Sequence, residues 1–422
     1  MKKLLLLLII PFWSFSQEWE QFFDNNHPVE RGYSVKQTID EGYILCGETG
    51  SFIYVIKTNE LGEEEWNQTF GGSSNDSPGT SIQQTTDGGF IITGQLQGST
   101  CLIKINGNGE EEWSQVYNGD IGNSVQQTID GGYIITGTTD IYPLSEPNIT
   151  GLLLLKTNEF GEEEWSQILG GMGSDVGNSV QQTTDGGFIV CGSTGTSVEL
   201  TAEGAMQNTD IYLIKTDSNG EEEWSQTFGD IGYDSGNSVQ QTTDGGFIIT
   251  GILDKEGESW TGELTLIKTD ENGNEQWQSL WNNGGGYSIE QTTDGGYIVG
   301  GTKWSSIEGN NIYLLKTDEN GEEEWSEVYS GDLGFAVQQT IDGGYIMCGS
   351  IHNGYFEGFT NRDVYLVKID STGNITSTIE IPSIKKNLIS KVDVLGRETT
   401  NNKGFQLHIY DDGSVEKKYL IK

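Results

Sequence analysis

Two histidines and two arginines are the residues of this sequence best suited to bind an anion. His27 and Arg31 lie near the start of the 422-residue chain, whereas His352 and Arg362 lie far downstream. Guanidinium and protonated imidazole groups make charge-assisted hydrogen bonds to carboxylates and phosphates. If the fold brings these four side chains together, they predict an anion or carboxylate site. Clustering by chance, without a ligand, is the alternative.

Aromatic residues between the repeated motifs form a second candidate set. Trp260, Trp304, Tyr355 and Phe356 all lie in stretches whose length and composition vary along the chain. Large aromatic rings bury much apolar area and anchor many protein contacts, and the same residue types stack on sugars. We therefore expect these four residues to contribute to a ligand-binding surface.

The sequence contains no recognisable catalytic motif. It has no Gly-x-Ser-x-Gly elbow, no His-Glu-x-x-His, no phosphate-binding loop and no Cys-x-x-Cys pair. Only three histidines are present, which argues against a multi-histidine metal site. We predict no catalytic residue and no metal ligand. Carboxylates in the variable stretches leave a polysaccharide hydrolase or lyase as the alternative.

Runs of three glutamates raise the question of calcium binding. The runs are Glu63–Glu65, Glu110–Glu112, Glu162–Glu164, Glu221–Glu223 and Glu322–Glu324. The neighbouring Asp318-x-Asn320-Gly321 is similar to part of a calcium loop, but the full twelve-residue spacing is absent. Charge on an exposed edge strand prevents edge-to-edge aggregation. We therefore expect solvated edge strands and no cofactor, with calcium as the alternative.

A repeated unit must position all of these residues. Most copies contain a short strand that ends at an Asp-Gly-Gly turn, a returning apolar strand, a variable stretch, and a second strand pair whose last strand begins with Glu-Glu-Trp. Such tight turns between short strands, at a period of about 40 to 50 residues, are typical of propeller blades. We predict an all-β, seven-bladed β-propeller with four antiparallel strands, A to D, in each blade. The aromatic residue after the first turn recurs at Tyr43, Phe90, Tyr133, Phe188, Phe247, Tyr297 and Tyr345.

The tryptophans of strand D predict how the ring closes. Trp19 precedes the first turn, and Ser377 stands where the last copy should have its tryptophan. We therefore predict that the N-terminal strand around Trp19 completes the seventh blade, which removes open sheet edges. An open solenoid is the alternative. The recurring residues are Trp19, Trp66, Trp113, Trp165, Trp224, Trp277 and Trp325.

Closure also predicts which connections share a face. The A–B and C–D turns are short and nearly constant, whereas the B–C and D–A connections vary and lie on the opposite, variable face. Binding residues concentrate in variable loops on a rigid scaffold. Closure would bring His27 and Arg31, in a D–A connection, next to His352 and Arg362, in the last B–C loop.

The units resemble known propeller repeats. Residues 313–325, Tyr-Leu-Leu-Lys-Thr-Asp-Glu-Asn-Gly-Glu-Glu-Glu-Trp, are similar to the tryptophan-docking motif of quinoprotein-type propellers. The patterns Asp-Gly-Gly-Phe-Ile-Ile-Thr-Gly and Ile-Tyr-Leu-Ile-Lys-Thr-Asp resemble the delta-60 type of bacterial repeat. The resemblance covers about residues 19 to 378 and implies a fold, not an activity.

The two ends of the chain indicate export. Residues 1–16 combine Lys2 and Lys3 with an apolar run and small residues, which predicts a signal peptide. Residues 17–378 would form the propeller. Residues 379–422 include Lys391-Val-Asp-Val-Leu-Gly-Arg397 and resemble the second half of the type IX secretion sorting domain, as in Bacteroidota. That resemblance implies the type IX machinery as a partner. A C-terminal β cap is the alternative.

The composition of the chain disfavours some classes of binding partner. The net charge of −41 disfavours nucleic acid and anionic lipid, and no second hydrophobic run predicts membrane insertion. The cysteines Cys46, Cys191 and Cys348 occupy one position in different copies, so we expect them, with Cys101, to be buried thiols without disulfides. We expect a monomer that is secreted or held at the outer cell surface. Its predicted function is a binding module for polysaccharide or protein, and a purely structural or adhesive protein is a further alternative.

Overall fold

The structure is a computed structural model in which residues 18–375 and three later strands are described. Within residues 18–375 the undescribed positions are 26, 28, 75, 141–149, 172, 202–203, 230–231, 255–261, 306–308 and 357–358. The chain divides into two compact units, Met1–Ile375 and Thr376–Lys422. The predicted signal peptide lies outside the described residues.

The first unit is a ring of seven four-stranded antiparallel sheets, and the predicted β-propeller is confirmed. Blade 1 contains β2 (Glu30–Gln37), β3 (Tyr43–Thr49), β4 (Phe52–Thr58) and β5 (Glu64–Gly71). Blade 2 contains β6 (Ser77–Gln84), β7 (Phe90–Leu96), β8 (Ser99–Ile105) and β9 (Glu111–Val116). Blade 3 contains β10 (Ile121–Gln127), β11 (Tyr133–Asp140), β12 (Thr150–Thr157) and β13 (Glu163–Leu169). Blade 4 contains β14 (Asp175–Gln182), β15 (Phe188–Thr201), β16 (Gly204–Thr216) and β17 (Glu222–Phe228).

The last three blades repeat this order, except that one strand comes from the start of the chain. Blade 5 contains β18 (Ser235–Gln241), β19 (Phe247–Leu253), β20 (Glu263–Thr269) and β21 (Glu275–Trp281). Blade 6 contains β22 (Gly284–Gln291), β23 (Tyr297–Ser305), β24 (Gly309–Thr317) and β25 (Glu323–Tyr329). Blade 7 contains β26 (Leu333–Gln339), β27 (Tyr345–Phe356), β28 (Phe359–Ile369) and β1 (Trp19–Phe23).

The A–B turns share one repeated set of hydrogen bonds between a threonine, an aspartate and a glycine. In blade 3, Thr128 N–H donates to the Gly132 carbonyl, and both the Thr128 hydroxyl and Gly132 N–H donate to Asp130 Oδ1. Gly131 has a φ of +89°, which favours glycine because it has no Cβ. The Thr-x-Asp-Gly-Gly sequence thus determines the hairpin by turn chemistry.

The tryptophan of each strand D joins two neighbouring blades. Trp165 of blade 3 packs on blade 4, where its ring meets Phe188 at a centroid distance of 5.8 Å and covers the C–D turn at Gly220. The corresponding ring pairs are Trp19–Tyr43, Trp66–Phe90, Trp113–Tyr133, Trp224–Phe247, Trp277–Tyr297 and Trp325–Tyr345. These contacts make the ring continuous from blade to blade.

The predicted closure by the N-terminal strand is confirmed. Strand β1 pairs antiparallel with β28 over the whole of Trp19–Phe23, from Trp19 opposite Lys368 to Phe23 opposite Val364. Phe23 is buried in the core, and the Phe22 ring stacks on Tyr365 at 5.3 Å. The open solenoid is excluded.

Several stretches expected to be loops are strands. In blade 4, β15 and β16 continue as a hairpin of 14 and 13 residues, whereas β7 and β8 of blade 2 have seven residues each. In blade 7, His352 and Arg362 pair in register on β27 and β28, so they are strand residues and not loop residues. The last strand C, β28, begins at Phe359, so it includes residues that the sequence analysis placed in the B–C loop. Antiparallel pairing satisfies backbone groups that a long loop would expose.

The four cysteines are buried and unpaired, as the sequence predicted. Burial raises the pKa of the Cys101 thiol to about 12, so it is a poor nucleophile. Within the described residues, no helix has the length and hydropathy needed to span a membrane.

The second unit contributes one three-stranded antiparallel sheet among the described residues. Its strands are β29 (Leu388–Val392), β30 (Gly404–Tyr410) and β31 (Val415–Leu420), with β30 in the centre. This arrangement matches the small C-terminal β segment that the sequence predicted.

Candidate functional site

The variable face at the junction of blades 7 and 1 holds the predicted basic residues, but each arginine already has an internal partner. Arg31 lies at the start of β2 and not in the preceding connection, which corrects its predicted place. Its Nη1 contacts Glu48 Oε1 at 2.6 Å and donates to the Tyr33 hydroxyl at 3.3 Å. Tyr33 in turn donates to Glu48 at 3.0 Å. A small network therefore fixes the Arg31 guanidinium.

Arg362 is held in a similar way on the neighbouring blade. Its Nε donates to Asp332 Oδ2, and its backbone forms a parallel bridge with Val29. That bridge places Arg362 beside the segment that joins His27 to Arg31. The structure thus brings the predicted residues into one sector, where an external anion would have to compete with Glu48 and Asp332.

The two histidines lie at the surface of the same sector. His27 is exposed and packs over Gly50, where a Cβ would lie 2.6 Å from the imidazole Nε2, so the ring fits because glycine has no side chain. His352 is also exposed, and its Nδ1 lies 3.2 Å from the Asn361 carbonyl. The anion site itself stays a prediction.

The predicted aromatic residues do not form one described cluster. Trp304 is half-buried on β23, and its backbone N–H donates to the Asn283 carbonyl at 2.8 Å. Trp260 lies outside the described residues. Tyr355 and Phe356 pair with Thr360 and Phe359 at the tip of the blade 7 hairpin, where only the backbone is described.

Buried acids at the D–A connections are a feature that the sequence analysis missed. In blade 4, Asp175 Oδ2 accepts the Gly171 N–H at 2.8 Å and Oδ1 accepts the Thr194 hydroxyl at 2.5 Å, so one carboxylate ties the D–A and B–C connections together. Asp76 has the same role in blade 2, where it accepts N–H groups from Ser73 and Gln97. The signal was available, because most copies carry an acid at the first residue of strand A or directly before it.

The corresponding acid in blade 1 is Glu30. Its carboxylate accepts N–H groups from Asn25 and His27 and the hydroxyl of Thr49. Burial is the largest influence on this group, and it raises the pKa of Glu30 to about 7 although these hydrogen bonds act in the opposite direction. Asp24 lies close enough to add to the increase.

A buried lysine in each blade organises the opposite, regular face, and this too was missed. Lys156 on β12 is buried, and its Nζ contacts Asp130 at 3.0 Å and Glu164 at 2.9 Å and donates to the Thr157 carbonyl at 2.8 Å. One lysine thus joins the A–B turn to strand D. The equivalent lysines are Lys57, Lys104, Lys215, Lys268, Lys316 and Lys368.

These ion pairs change the interpretation of the glutamate runs. The third glutamate pairs with the buried lysine, whereas the second lies on the exposed strand, as Glu163 does beside Ser166. Asp318 caps its turn by accepting N–H groups from Asn320 and Glu322. In each glutamate run, therefore, one side chain pairs with the buried lysine of its own blade and another keeps the exposed edge of strand D charged.

The central channel is lined by all seven innermost strands and encloses a cavity of about 280 Å³. A ring of strand-A glutamines links neighbouring blades: in each blade the Oε1 accepts an N–H from the A–B turn of the preceding blade, as Gln127 does from Thr86 at 2.9 Å. These glutamines form a polar ladder around the ring. The ring is Gln37, Gln84, Gln127, Gln182, Gln241, Gln291 and Gln339.

Comparison with known proteins supports the fold alone. No family model matches the chain, and no curated protein does. Among solved structures, the WD40 domain of Pan2 from Neurospora crassa has 10% identity and a TM-score of 0.52, covering 81% of this chain and 89% of that one. Sqt1 from Chaetomium thermophilum has 10% identity and a TM-score of 0.47, covering 95% and 98%. A Bacteroides caccae protein of unknown function has 12% identity and a TM-score of 0.42, covering 71% and 93%.

Proposed function

We propose that this chain is a binding module that recognises a polysaccharide or a surface protein through its variable face. The β-propeller fold commonly serves as an interaction scaffold, and the Pan2 WD40 domain shares that fold. The observation that carries the proposal is the contrast between the two faces. Every A–B and C–D turn spans five residues, whereas the B–C hairpins differ greatly in length from blade to blade.

The long B–C hairpins give individual blades different surfaces on the variable face. Strands β15 and β16 continue to pair beyond Gly195 and Thr209 as far as Thr201 and Gly204. The regular face, in contrast, repeats the same lysine–aspartate pairs in every blade. Specific recognition requires a surface that differs from place to place, and a rigid ring with variable hairpins supplies one.

Export is part of the same proposal and rests on sequence. Residues 1–16 have the pattern of a signal peptide, and residues 379–422 resemble part of a type IX sorting domain. The proposed location is the cell exterior or the outer cell surface, where polysaccharides and surface proteins are the available partners.

Shortening the blade 4 hairpin tests the binding face. Residues 198–207 are replaced by Asn-Gly, which keeps the Ser197–Asn208 pair and supplies a two-residue hairpin turn. The wild-type chain is screened on a glycan array and against extracted surface proteins, and affinity for any ligand is then measured for both chains. We expect a loss of at least about tenfold in the shortened chain, or in Trp304→Ala if blade 6 contacts the ligand.

The control changes the opposite face. Ile129 and Ile341 are 88% and 80% exposed on A–B turns, so Ile129→Ser and Ile341→Ser alter that face without touching the core. Unchanged binding in these variants is expected. Loss of binding in them, with full binding in the hairpin and Trp304 variants, would place the ligand on the regular face and contradict the proposal.

A further inference from the structure

Three carboxylates meet where the ring closes. Asp24 follows β1, Glu30 opens β2, and Asp363 lies on β28, and one oxygen from each lies within 4.8 Å of the others. Two oxygens bound to one Ca²⁺ lie at most about 5 Å apart, since each Ca–O distance is about 2.4 Å. The separations among the three groups therefore fit one ion.

Two of the three side chains are almost fully removed from water. Glu30 is 0% exposed and Asp363 is 3% exposed. Asp363 Oδ2 accepts a hydrogen bond from the Asn353 amide at 2.6 Å, but Asp363 Oδ1 is buried and has no hydrogen-bond partner. A buried carboxylate oxygen without a donor is costly, and a cation at this place would compensate it.

The equivalent place in the junction of blades 3 and 4 shows how the repeat satisfies its acid without an ion. There Asp175 occupies the position of Glu30, and both of its oxygens accept hydrogen bonds. The residue of blade 3 that corresponds to Asp363 is Gly151, as the strand register shows: Gly151 lies two residues before the partner of Gly137, and Asp363 two before the partner of Gly349. Blades 4 and 5 carry Asp210 and Glu263 at the corresponding position. Among the described residues, however, three carboxylates come within 4.8 Å of one another only at the closing junction.

We propose that Asp24, Glu30 and Asp363 bind one divalent cation, Ca²⁺, which links the end of β1 to β2 and β28. Carboxylate oxygens are hard ligands, and Ca²⁺ accepts six to eight oxygens in flexible geometry. Water and the nearby Asn353 amide oxygen can fill the remaining positions. This site is separate from the glutamate runs of strand D, and it does not depend on the proposed binding face.

Thermal unfolding with and without calcium tests the site. The purified full chain is measured in about 0.15 M NaCl, with excess EGTA or with about 2 mM Ca²⁺, and in both cases with excess Mg²⁺ to occupy weak acidic sites. We expect Ca²⁺ to raise the Tm by several degrees and isothermal titration to detect one site that prefers Ca²⁺ to Mg²⁺.

Variants locate the ion. Asp363→Asn should weaken Ca²⁺ binding by at least about tenfold, because site affinity depends on ligand charge. Asp24 is exposed, so Asp24→Asn provides the same test if Asp363→Asn fails to fold. The matched control is Asp175→Asn, which removes the equivalent acid of blade 4 and should keep the full calcium-dependent increase in Tm.

Three outcomes would overturn the proposal. Equal Tm values in EGTA and in Ca²⁺ would exclude a stabilising ion. An increase that survives in both Asp363→Asn and Asp24→Asn would assign calcium to another place. An increase that disappears in Asp175→Asn but persists in Asp24→Asn would move the ion to blade 4.

Discussion

Gly220 illustrates how much a single position contributes to the blade contacts. It lies in the C–D turn of blade 4 with a φ of +80°, and a Cβ there would lie 2.5 Å from the Trp165 ring. We expect Gly220→Ala to lower the free energy of unfolding for two reasons, a strained backbone and a displaced tryptophan. The positive φ alone costs about 1 to 2 kcal/mol, and the displaced ring adds to that cost. Thermal and urea unfolding measure the total.

A second glycine of the same blade separates the two effects. Gly186 has a φ of +91°, but a Cβ there meets nothing within 4 Å. Gly186→Ala should therefore show the backbone cost alone and be clearly the milder variant. Equal losses for both variants would mean that the Trp165 contact contributes little to the junction between blades 3 and 4.

At the scale of the element, the A–B turn and its buried lysine predict a pH dependence. Burial would raise the pKa of Asp185, but hydrogen bonds from Thr183, Lys215 and Gly187, together with the Lys215 charge, outweigh it and lower the pKa to about 2. An unfolded aspartate titrates near pH 4. The pair therefore stabilises the fold above about pH 4, and this contribution is lost as the pH falls towards 2.

Asp185→Asn makes this contribution measurable. The difference in Tm between the wild type and the variant should be largest at neutral pH, shrink from about pH 5 downwards and almost vanish near pH 2. Taking the difference cancels the global relief of repulsion as other acids are protonated. A difference that stays constant from pH 7 to pH 2 would show that ionisation of Asp185 does not stabilise the blade.

The elements could be predicted from the sequence where local chemistry determines them. Thr-x-Asp-Gly-Gly specifies a hairpin by itself, and the tryptophan count showed that a strand was missing at the end and present at the start. The position of Lys156 could not be predicted this way, because a lysine after an apolar run is equally consistent with an exposed strand end. Its burial depends on Asp130 and Glu164, which only the folded blade brings together.

The variable stretches were predicted least well, for a related reason. Residues around His352 were interpreted as a loop because the B–C connections vary from copy to copy, yet β27 and β28 pair beyond them. Continued hairpin pairing is favoured by the register of the strands below and not by local propensity. The role of Asp363 at the closing junction was overlooked, because Asp24 and Glu30 are distant from it in sequence. The three carboxylates come together only when the ring closes.

At the scale of the first unit, closure determines whether the seven blades form one continuous ring. Each blade contacts its neighbours through apolar core packing, its strand-D tryptophan and its strand-A glutamines, so an open array would present two unsatisfied ends. Strand β1 removes them, since it pairs with β28 on one side while Trp19 packs on Tyr43 of blade 1 at 5.5 Å. The sheet edge of β28 would otherwise be a template for pairing with another chain.

Removing β1 therefore tests closure directly. A chain that begins at Asp24 lacks Trp19–Phe23 but keeps every other described strand of the first unit, and a chain that begins at Gln17 is the matched control. We expect the shorter chain to have a lower Tm and to self-associate on size-exclusion chromatography, because β28 becomes an exposed apolar edge.

A peptide of residues 17–24 should restore the Tm by strand addition, and the same peptide with Trp19→Ala and Phe23→Ala should not. If the shorter chain unfolds at the temperature of the control and stays monomeric, the ring does not depend on its N-terminal strand, and the blade-to-blade contacts alone hold it closed.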